Sequence, residues 1–467
     1  MRVFLVNFVL SYLRFFARKA LQKHQPIIIG IAGSVGKSST RNAIEAILKD
    51  YSAVKSVGNS ETGIPLGILG MKPQNYTKLE WLKMLLRAPL RLNYLKGTKY
   101  LIAEMGIDDP YPPKNMEYLL TILKPDIAIS LNVSATHTMQ FEKALSPKDK
   151  QLNDQEKLKK VIQKIAEEDT KILTKSSCNI GIYNADDEAL VDAIQKKRKK
   201  LLSTELFTFG KRKTNDIFYG EYNISLTGTK LNLYVKDIQG KKLQHLKLYF
   251  TNMILPQEYQ EVFAAAVLST IQTGLTLSQI KNSLEKNFTL PKGRSSIFMG
   301  IHNSVIIDST YNASRRSVEA FLDLVDTLKK ATDRPVVFLF GDMRELGNEA
   351  YIEHRAIAEK ILGIVDNLYL VGPLTKEYVL PNIKRAKNEV HEVLWFDTSI
   401  KAGEYMKKHL PYNAIVLAKG SQNTIFLEEA IKMILADKKD AQNLCRQDEY
   451  WSNVKKNFFD SHKNILS

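Results

Sequence analysis

The residues best placed to do chemistry lie near the start of the chain, in Ile27-Ile28-Ile29-Gly30-Ile31-Ala32-Gly33-Ser34-Val35-Gly36-Lys37-Ser38-Ser39-Thr40. A β-branched run enters a glycine-rich turn that ends in Gly-Lys-Ser. The helix beyond it is marked by Ala43, Ile44, Ile47 and Leu48 at helical spacing. Backbone N–H groups in such a turn curl around phosphate oxygens, and the helix N-terminus adds a favourable dipole. Gly33, Ser34, Val35, Gly36, Lys37, Ser38 and Ser39 are therefore read as a nucleotide-phosphate loop. Lys37 would reach the β/γ-phosphates, and the Ser38 hydroxyl would sit on Mg²⁺. The spacing departs from the usual P-loop, because Ile31 stands six before Lys37 and the glycine falls one earlier, at Gly30. A lysine and two serines in this context favour a phosphate loop over a plain βα turn.

Further polar residues follow apolar runs. Strand-like stretches at 26–32, 99–104, 125–132 and 179–184 alternate with helical patterns up to about Thr204, which predicts a mainly parallel α/β sheet. They end in Glu104-Met105-Gly106, in Asn132 with His137 beyond, and in Asn184-Ala185-Asp186-Asp187. Ligands of open α/β sheets bind beyond the carboxyl ends of the strands. Glu104 and His137 are thus candidate catalytic residues and Mg²⁺ ligands.

Residues 205–250 change character, with strand patterns at Asp216–Tyr219 and Lys230–Val235 and turns at Gly228 and Gly240. These predict antiparallel hairpins on one sheet edge. Helical stretches follow from Glu261 to Thr273 and from Leu277 to Glu285. After Pro291, Gly293-Arg294 opens a second α/β unit, with strands at 304–308, 335–340, 367–371 and 414–418 and helices at 316–330, 350–362, 400–409 and 424–436. Its polar clusters also fall at strand ends: Asp308 to Asn312, Gly341 to Gly347 with His354 beyond, and Lys419-Gly420-Ser421. The tail from Arg446 to Ser467 reads as a closing segment without assigned chemistry.

The 467 residues carry a formal net charge of +17, with 44% hydrophobic and 25% charged residues. That is a globular composition with a bias toward anionic partners. No RNA-binding signature accompanies the lysines, so nucleic acid is not expected. Two distant cysteines, Cys178 and Cys445, argue against a disulfide framework or zinc site and fit a reducing cytoplasm. Residues 1–25 form an amphipathic helix with a narrow stripe of Asn7, Ser11, Arg14 and Arg18, too interrupted to span a bilayer. It either packs on its own domain, the favoured reading, or lies on the cytoplasmic membrane face. The basic amphipathic segment from Trp81 to about Lys96 reads first as a helix on the sheet.

With both units laid out, residues from about Pro26 to Lys438 resemble the Mur ligases, ATP-dependent enzymes that join amino acids to the peptidoglycan precursor. The glycine offset of Gly30 to Ser39 is that family's own. Asn59-Ser60-Glu61-Thr62-Gly63-Ile64-Pro65-Leu66 and Gly341-Asp342-Met343-Arg344-Glu345-Leu346-Gly347 with His354 are similar to the branch that adds D-alanyl-D-alanine. The resemblance implies a P-loop ATP-binding domain over 26–292, a Rossmann-like domain over 293–440 and a tail over 441–467. It implies ATP and Mg²⁺ as cofactors, with Glu104 and His137 on the metal and Arg294, Asp308 and Asn312 on the nucleotide. It further implies amide formation through an acyl phosphate, on small-molecule carboxylate and amine substrates, with D-alanyl-D-alanine added to a UDP-muramoyl-tripeptide.

The sequence departs from the family at three places. The N-terminal uridine-nucleotide domain is replaced by the amphipathic helix. Asp169 stands where the lysine carbamylated to hold a second Mg²⁺ should fall, with Lys171 two residues on. Pro256-Gln257-Glu258-Tyr259-Gln260 stands in place of a Gly-x-His-Asn stretch. Asp169 would supply a carboxylate to the metal directly, or Lys171 would serve by a change of register. A folylpolyglutamate-type ligase, or a P-loop NTPase or kinase that makes no amide, are the competing readings.

Overall fold

The computed structural model describes residues 2–463 except 74–76, 135–137, 177, 238–241, 252, 345, 347–348, 387–388 and 422–424. The chain divides into two compact units. One comprises Met1–Glu221, Asn232–Leu248 and Tyr259–Phe288; the other Tyr222–Leu231, Tyr249–Glu258 and Thr289–Ser467.

In the first unit, strand β1 (Ile27–Ala32) is apolar along its length and buried beyond Ile27, as a central parallel strand must be. It is followed by β2 (Val54–Val57), β3 (Tyr100–Glu104), β4 (Ile127–Ser130), β5 (Ile180–Asn184) and β6 (Glu205–Gly210). Strands β7 (Ile217–Ser225), β8 (Gly228–Lys236) and β9 (Leu243–Thr251) complete a nine-stranded sheet of order β2-β3-β1-β4-β5-β6-β7-β8-β9. From β2 to β7 every adjacent pair is parallel. The two residues between β7 and β8 suffice only for an antiparallel hairpin, so the expected edge hairpin is present.

Strand β1 lies between β3 and β4, so the chain reverses direction across the sheet there and leaves a crevice beyond the strand ends. The register sets Glu104 against Ile31 and Ser130 against Ala32. Helix α1 (Arg2–His24) buries Leu10, Leu13, Ala17 and Ala20 in the core of this unit, as the favoured reading expected. Helix α2 (Lys37–Leu48) leaves the loop after β1, and α3 (Gly63–Ile68) and α4 (Lys78–Arg87) lie between β2 and β3.

The second unit has a six-stranded sheet of β10 (Ser296–Met299), β11 (Val305–Ser309), β12 (Val336–Gly341), β13 (Asn367–Val371), β14 (Glu392–Phe396) and β15 (Ile415–Lys419). Its order is β10-β11-β15-β12-β13-β14, parallel except for β10. Separate apolar clusters cover its two faces, one around Phe338 and Phe340 and one around Leu339 and Tyr369. Central β15 places Lys419 beside Ser309 on one side and Phe340 on the other. The tail forms a helix over Glu449–Lys463.

Candidate active site

Gly33 and Gly36 hold φ values of 138° and 90°, which side-chain-bearing residues rarely adopt. A Cβ on Gly33 would lie 3.0 Å from Leu131 Cβ and 3.2 Å from the Asn132 backbone, so this turn needs glycine for space as well as conformation. Gly36 precedes α2 and offers no side-chain cap to its first turn. The leading N–H groups of a twelve-residue helix are thereby left for an anion.

Asn132 fastens the loop to the end of β4. Its Oδ1 accepts from Val35 N at 2.9 Å, its Nδ2 donates to Val35 O at 3.0 Å, and its carbonyl accepts from Ser34 N at 2.8 Å. Ser134 N adds a bond to Ser34 Oγ at 2.9 Å. The sequence marked Asn132 only as a polar strand end. Its contact to a loop almost a hundred residues away left no local signal.

Lys37 Nζ folds back on the loop carbonyls of Gly33 and Ser34. Glu104, buried at the end of β3, accepts from Ser38 Oγ at 2.8 Å and pairs with Arg41 at 2.6 Å. Arg41 was not singled out in the sequence; it reaches Glu104 because it sits one turn after Lys37 on α2. Ser39 Oγ lies 3.5 Å from the Tyr259 hydroxyl, within the stretch that departs from the family pattern.

A cavity of about 140 Å³ adjoins the loop, lined by Gly33, Ser34, Lys37, Asn59, Gly106 and Asp169, with Ile107, Phe141 and Ile165 as its apolar wall. Asp169, at the end of the helix Asp154–Asp169, is 1% exposed, and its Oδ1 has no hydrogen-bond partner. Burial pushes its carboxyl up to about 7; Lys37 opposes the rise, and Glu168 and Asp187 add to it. Lys171 points elsewhere, paired with Glu168 and, at 3.4 Å, with Glu117. Of the two candidates for the second metal position, only Asp169 lines the cavity.

His137 lies outside the described residues. Among the described residues no group of three or more His, Cys, Asp or Glu converges as a ready metal site. The oxygen donors near the loop are the Ser38–Glu104 pair and the buried, unpartnered Oδ1 of Asp169, which lines the cavity with Lys37. A divalent cation fits that donor set, because hard oxygen ligands suit Mg²⁺ and its charge would remove the cost of an ionised Asp169.

In the second unit, Asp308 is fully buried at the end of β11. Its Oδ1 accepts from Thr310 N at 3.0 Å and Thr310 Oγ1 at 2.7 Å, while Oδ2 has no partner. Burial raises it to about 6. Lys419 Nζ donates to Ser309 Oγ and to Asn312 O, each at 3.0 Å, which fixes the segment carrying Asn312. The Arg294 guanidinium stacks over the Tyr311 ring at 4.8 Å. Arg294, Asp308 and Asn312 thus gather on one segment of this unit. Arg446 holds it from the tail, donating to Thr310 O at 2.9 Å while paired with buried Glu428 at 2.6 Å. The tail had offered no sequence signal for that role.

His354 proves structural. Its Nε2 accepts from Met343 N at 3.0 Å and its Nδ1 faces Ala350 O at 2.7 Å, which defines a neutral ring donating from Nδ1. Burial lowers its pKa, in keeping with that state.

Residues 31–145 match the Mur ligase middle domain, and residues 293–422 match the Mur ligase glutamate ligase domain. The chain belongs to the Mur ligase family, whose members are ATP-dependent, ADP-forming ligases. Within the family it is similar to the MurF type. The UDP-N-acetylmuramoyl-tripeptide–D-alanyl-D-alanine ligase of Buchnera aphidicola is 24% identical over 76% of this chain, and the match spans 65% of that protein, just under two thirds. The enzyme of the same name from Rickettsia prowazekii is 26% identical over 90% of this chain and 81% of its own length. The crystal structure of MurF from Thermotoga maritima in complex with ADP shares the fold at a TM-score of 0.66 and 19% identity, covering 93% of this chain and 84% of that one.

Proposed function

We propose that the chain is an ATP-dependent ligase that adds D-alanyl-D-alanine to a UDP-muramoyl-tripeptide in peptidoglycan precursor synthesis. One observation carries the reading: on a Mur ligase framework, the phosphate loop with Lys37 and the orphaned carboxylate of Asp169 line one cavity, while Ser38, the next residue of the loop, is bonded to Glu104. The names of the similar proteins support the choice of substrates. The reaction is placed in the cytoplasm, where ATP is supplied, at the inner face of the membrane. No described helix is long and apolar enough to cross a bilayer.

In this reading the loop amides of Gly33 to Ser39 hold the nucleotide phosphates, and Lys37 swings from the loop carbonyls onto the transferred phosphoryl group to offset its developing charge. Ser38, Glu104, His137 and Asp169 would hold Mg²⁺, which would supply charge neutralisation to the nucleotide phosphates. The substrate carboxylate attacks the γ-phosphorus, and the products are an acyl phosphate and ADP. The incoming amine then adds to the acyl carbon, and the tetrahedral adduct collapses with loss of phosphate. Ile107, Phe141 and Ile165 keep water from the acyl phosphate, which it would hydrolyse. Arg294, Asp308 and Asn312 are proposed as further nucleotide contacts.

The test is a substrate panel read by ADP release and by the mass of the product. UDP-muramoyl-tripeptide with D-alanyl-D-alanine should stimulate ADP release and yield an amide, whereas folate with glutamate should not. Lys37→Ala should abolish the release. Retained turnover in that variant would overturn the assignment of the loop, and a phosphorylated product without an amide would identify a kinase instead.

A further inference from the structure

The core-facing residues of α1 begin only at Val9, and the turns before it carry Leu5, Val6 and Phe8, each at least half exposed, with Phe15 exposed further along. Helix α4 touches α1, and both pack on the same core cluster. It buries Met84, whereas Leu79, Leu82 and Leu86 form one outward stripe at i, i+3 and i+7 that continues to Leu90 in the next turn. Leu86 is 68% exposed and Leu90 80%. Single exposed leucines need no explanation, but a helical stripe of them beside a helix with exposed phenylalanines does.

The charges on these two segments are predominantly positive. Arg2–His24 contains five lysines and arginines and no acidic residue, and Lys78–Arg91 contains four against the single Glu80. Lys78, Lys83, Arg87, Arg18 and Lys19 are all exposed beside the apolar stripes. A second copy of this face would bring like charges together and is disfavoured. An anionic lipid surface satisfies both features, because leucine and phenylalanine enter the acyl boundary while lysine and arginine meet the headgroups.

We propose that α1 and the α4 segment together form a docking face for an anionic phospholipid bilayer, on which the first unit lies without crossing it. This deepens the membrane-face placement given above and rests on it. Two weak amphipathic elements acting together give the reversible attachment that one alone would not.

The test is sedimentation of the full chain with vesicles of phosphatidylcholine alone or with about one-third phosphatidylglycerol, without ATP or acceptor. The expected result is about tenfold more protein bound to the anionic vesicles, falling severalfold in half-molar salt. Phe8→Glu with Phe15→Glu, and Leu82→Glu with Leu86→Glu, should each abolish binding and keep substrate-dependent ADP release. Leu202→Glu, at an 87% exposed leucine outside this face, should bind as the parent does. Equal binding to neutral vesicles, no binding, or binding that survives both double variants would overturn the proposal. So would a parent protein that runs as a dimer which these variants split. Because nucleotide and acceptor are omitted, failure of the ligase assignment would leave this result standing, and the reverse holds too.

Discussion

At the scale of single residues, we propose that the buried carboxylate of Asp169 stands in for the carbamylated lysine of the family pattern. A lysine there would need carbamylation to offer oxygen to a metal, whereas Asp169 brings its own. Activity should therefore be unchanged when bicarbonate and dissolved CO₂ are removed from the assay. Asp169→Asn should lower kcat by about 100-fold, as expected for loss of a charged group beside the reacting phosphate. A rate that rises with added bicarbonate would point back to Lys171. Lys419 offers a prediction in pH. Burial, reinforced by Arg294 and partly opposed by Asp308, lowers its pKa to about 7. Its folded pKa thus lies below the unfolded value. Between pH 7 and about 10 the unfolded chain holds the extra proton, so stability climbs with pH and is lost as pH falls through 7. Relative to Lys419→Met, the parent should gain about 1 kcal/mol per pH unit in that window. Urea midpoints at pH 7, 8 and 9 for both proteins measure it, and parallel pH profiles would contradict it.

At the scale of elements, β1, its loop and α2 were legible because a single local pattern encodes them: a β-branched run, glycines that no other residue replaces, and a helical repeat. The strands expected at 367–371 and near 100, 127 and 180 were legible for the same reason. Strand β14 was not read despite its apolar run Val393-Leu394-Trp395-Phe396; it lies at the sheet edge with every residue only half-buried. The two clamps were hidden differently. Asn132 reaches Val35 and Arg446 reaches Thr310 across more than ninety residues, and no spacing rule reports such contacts. Their elements predict distinct outcomes. Asn132→Ala frees the loop from β4 and should weaken ATP binding by about tenfold in calorimetry, by loss of preorganisation. Arg446→Met leaves buried Glu428 with Lys455 as its remaining ion pair among the described residues. Breaking such a pair costs about 3–5 kcal/mol, so the thermal midpoint should fall by roughly 5–15 °C. A shift under about 2 °C would show that the tail does not hold the Asp308 segment.

At the scale of the whole molecule, the sequence suggested a second domain that starts at Gly293, whereas the compact unit around it is discontinuous. The tips of the edge hairpins belong to it. Ile254 is fully buried in the same apolar cluster as Ile307 and Phe338, with Ile224 and Leu226 packed against that cluster. Ser295 donates its hydroxyl to the Ile254 carbonyl, and Tyr222 binds Leu255 O at 2.6 Å. Thr229 ties the segment twice, at 2.8 Å to Met253 O and at 2.8 Å from Leu255 N. Composition could not reveal this, because the hairpins read as an edge of the first sheet and their far ends carry no linker signal. A fragment of residues 289–467 would lack these strands and uncover the apolar surface that Ile254 closes. Loss of one buried isoleucine side chain alone costs about 2–5 kcal/mol, a large share of the stability of a domain. The fragment should bind the dye ANS and keep its far-UV circular dichroism while losing a sharp thermal transition. The intact chain, measured beside it, should leave the dye dark. A fragment that melts cooperatively without dye binding would mean that the core of the second unit closes without the hairpin tips.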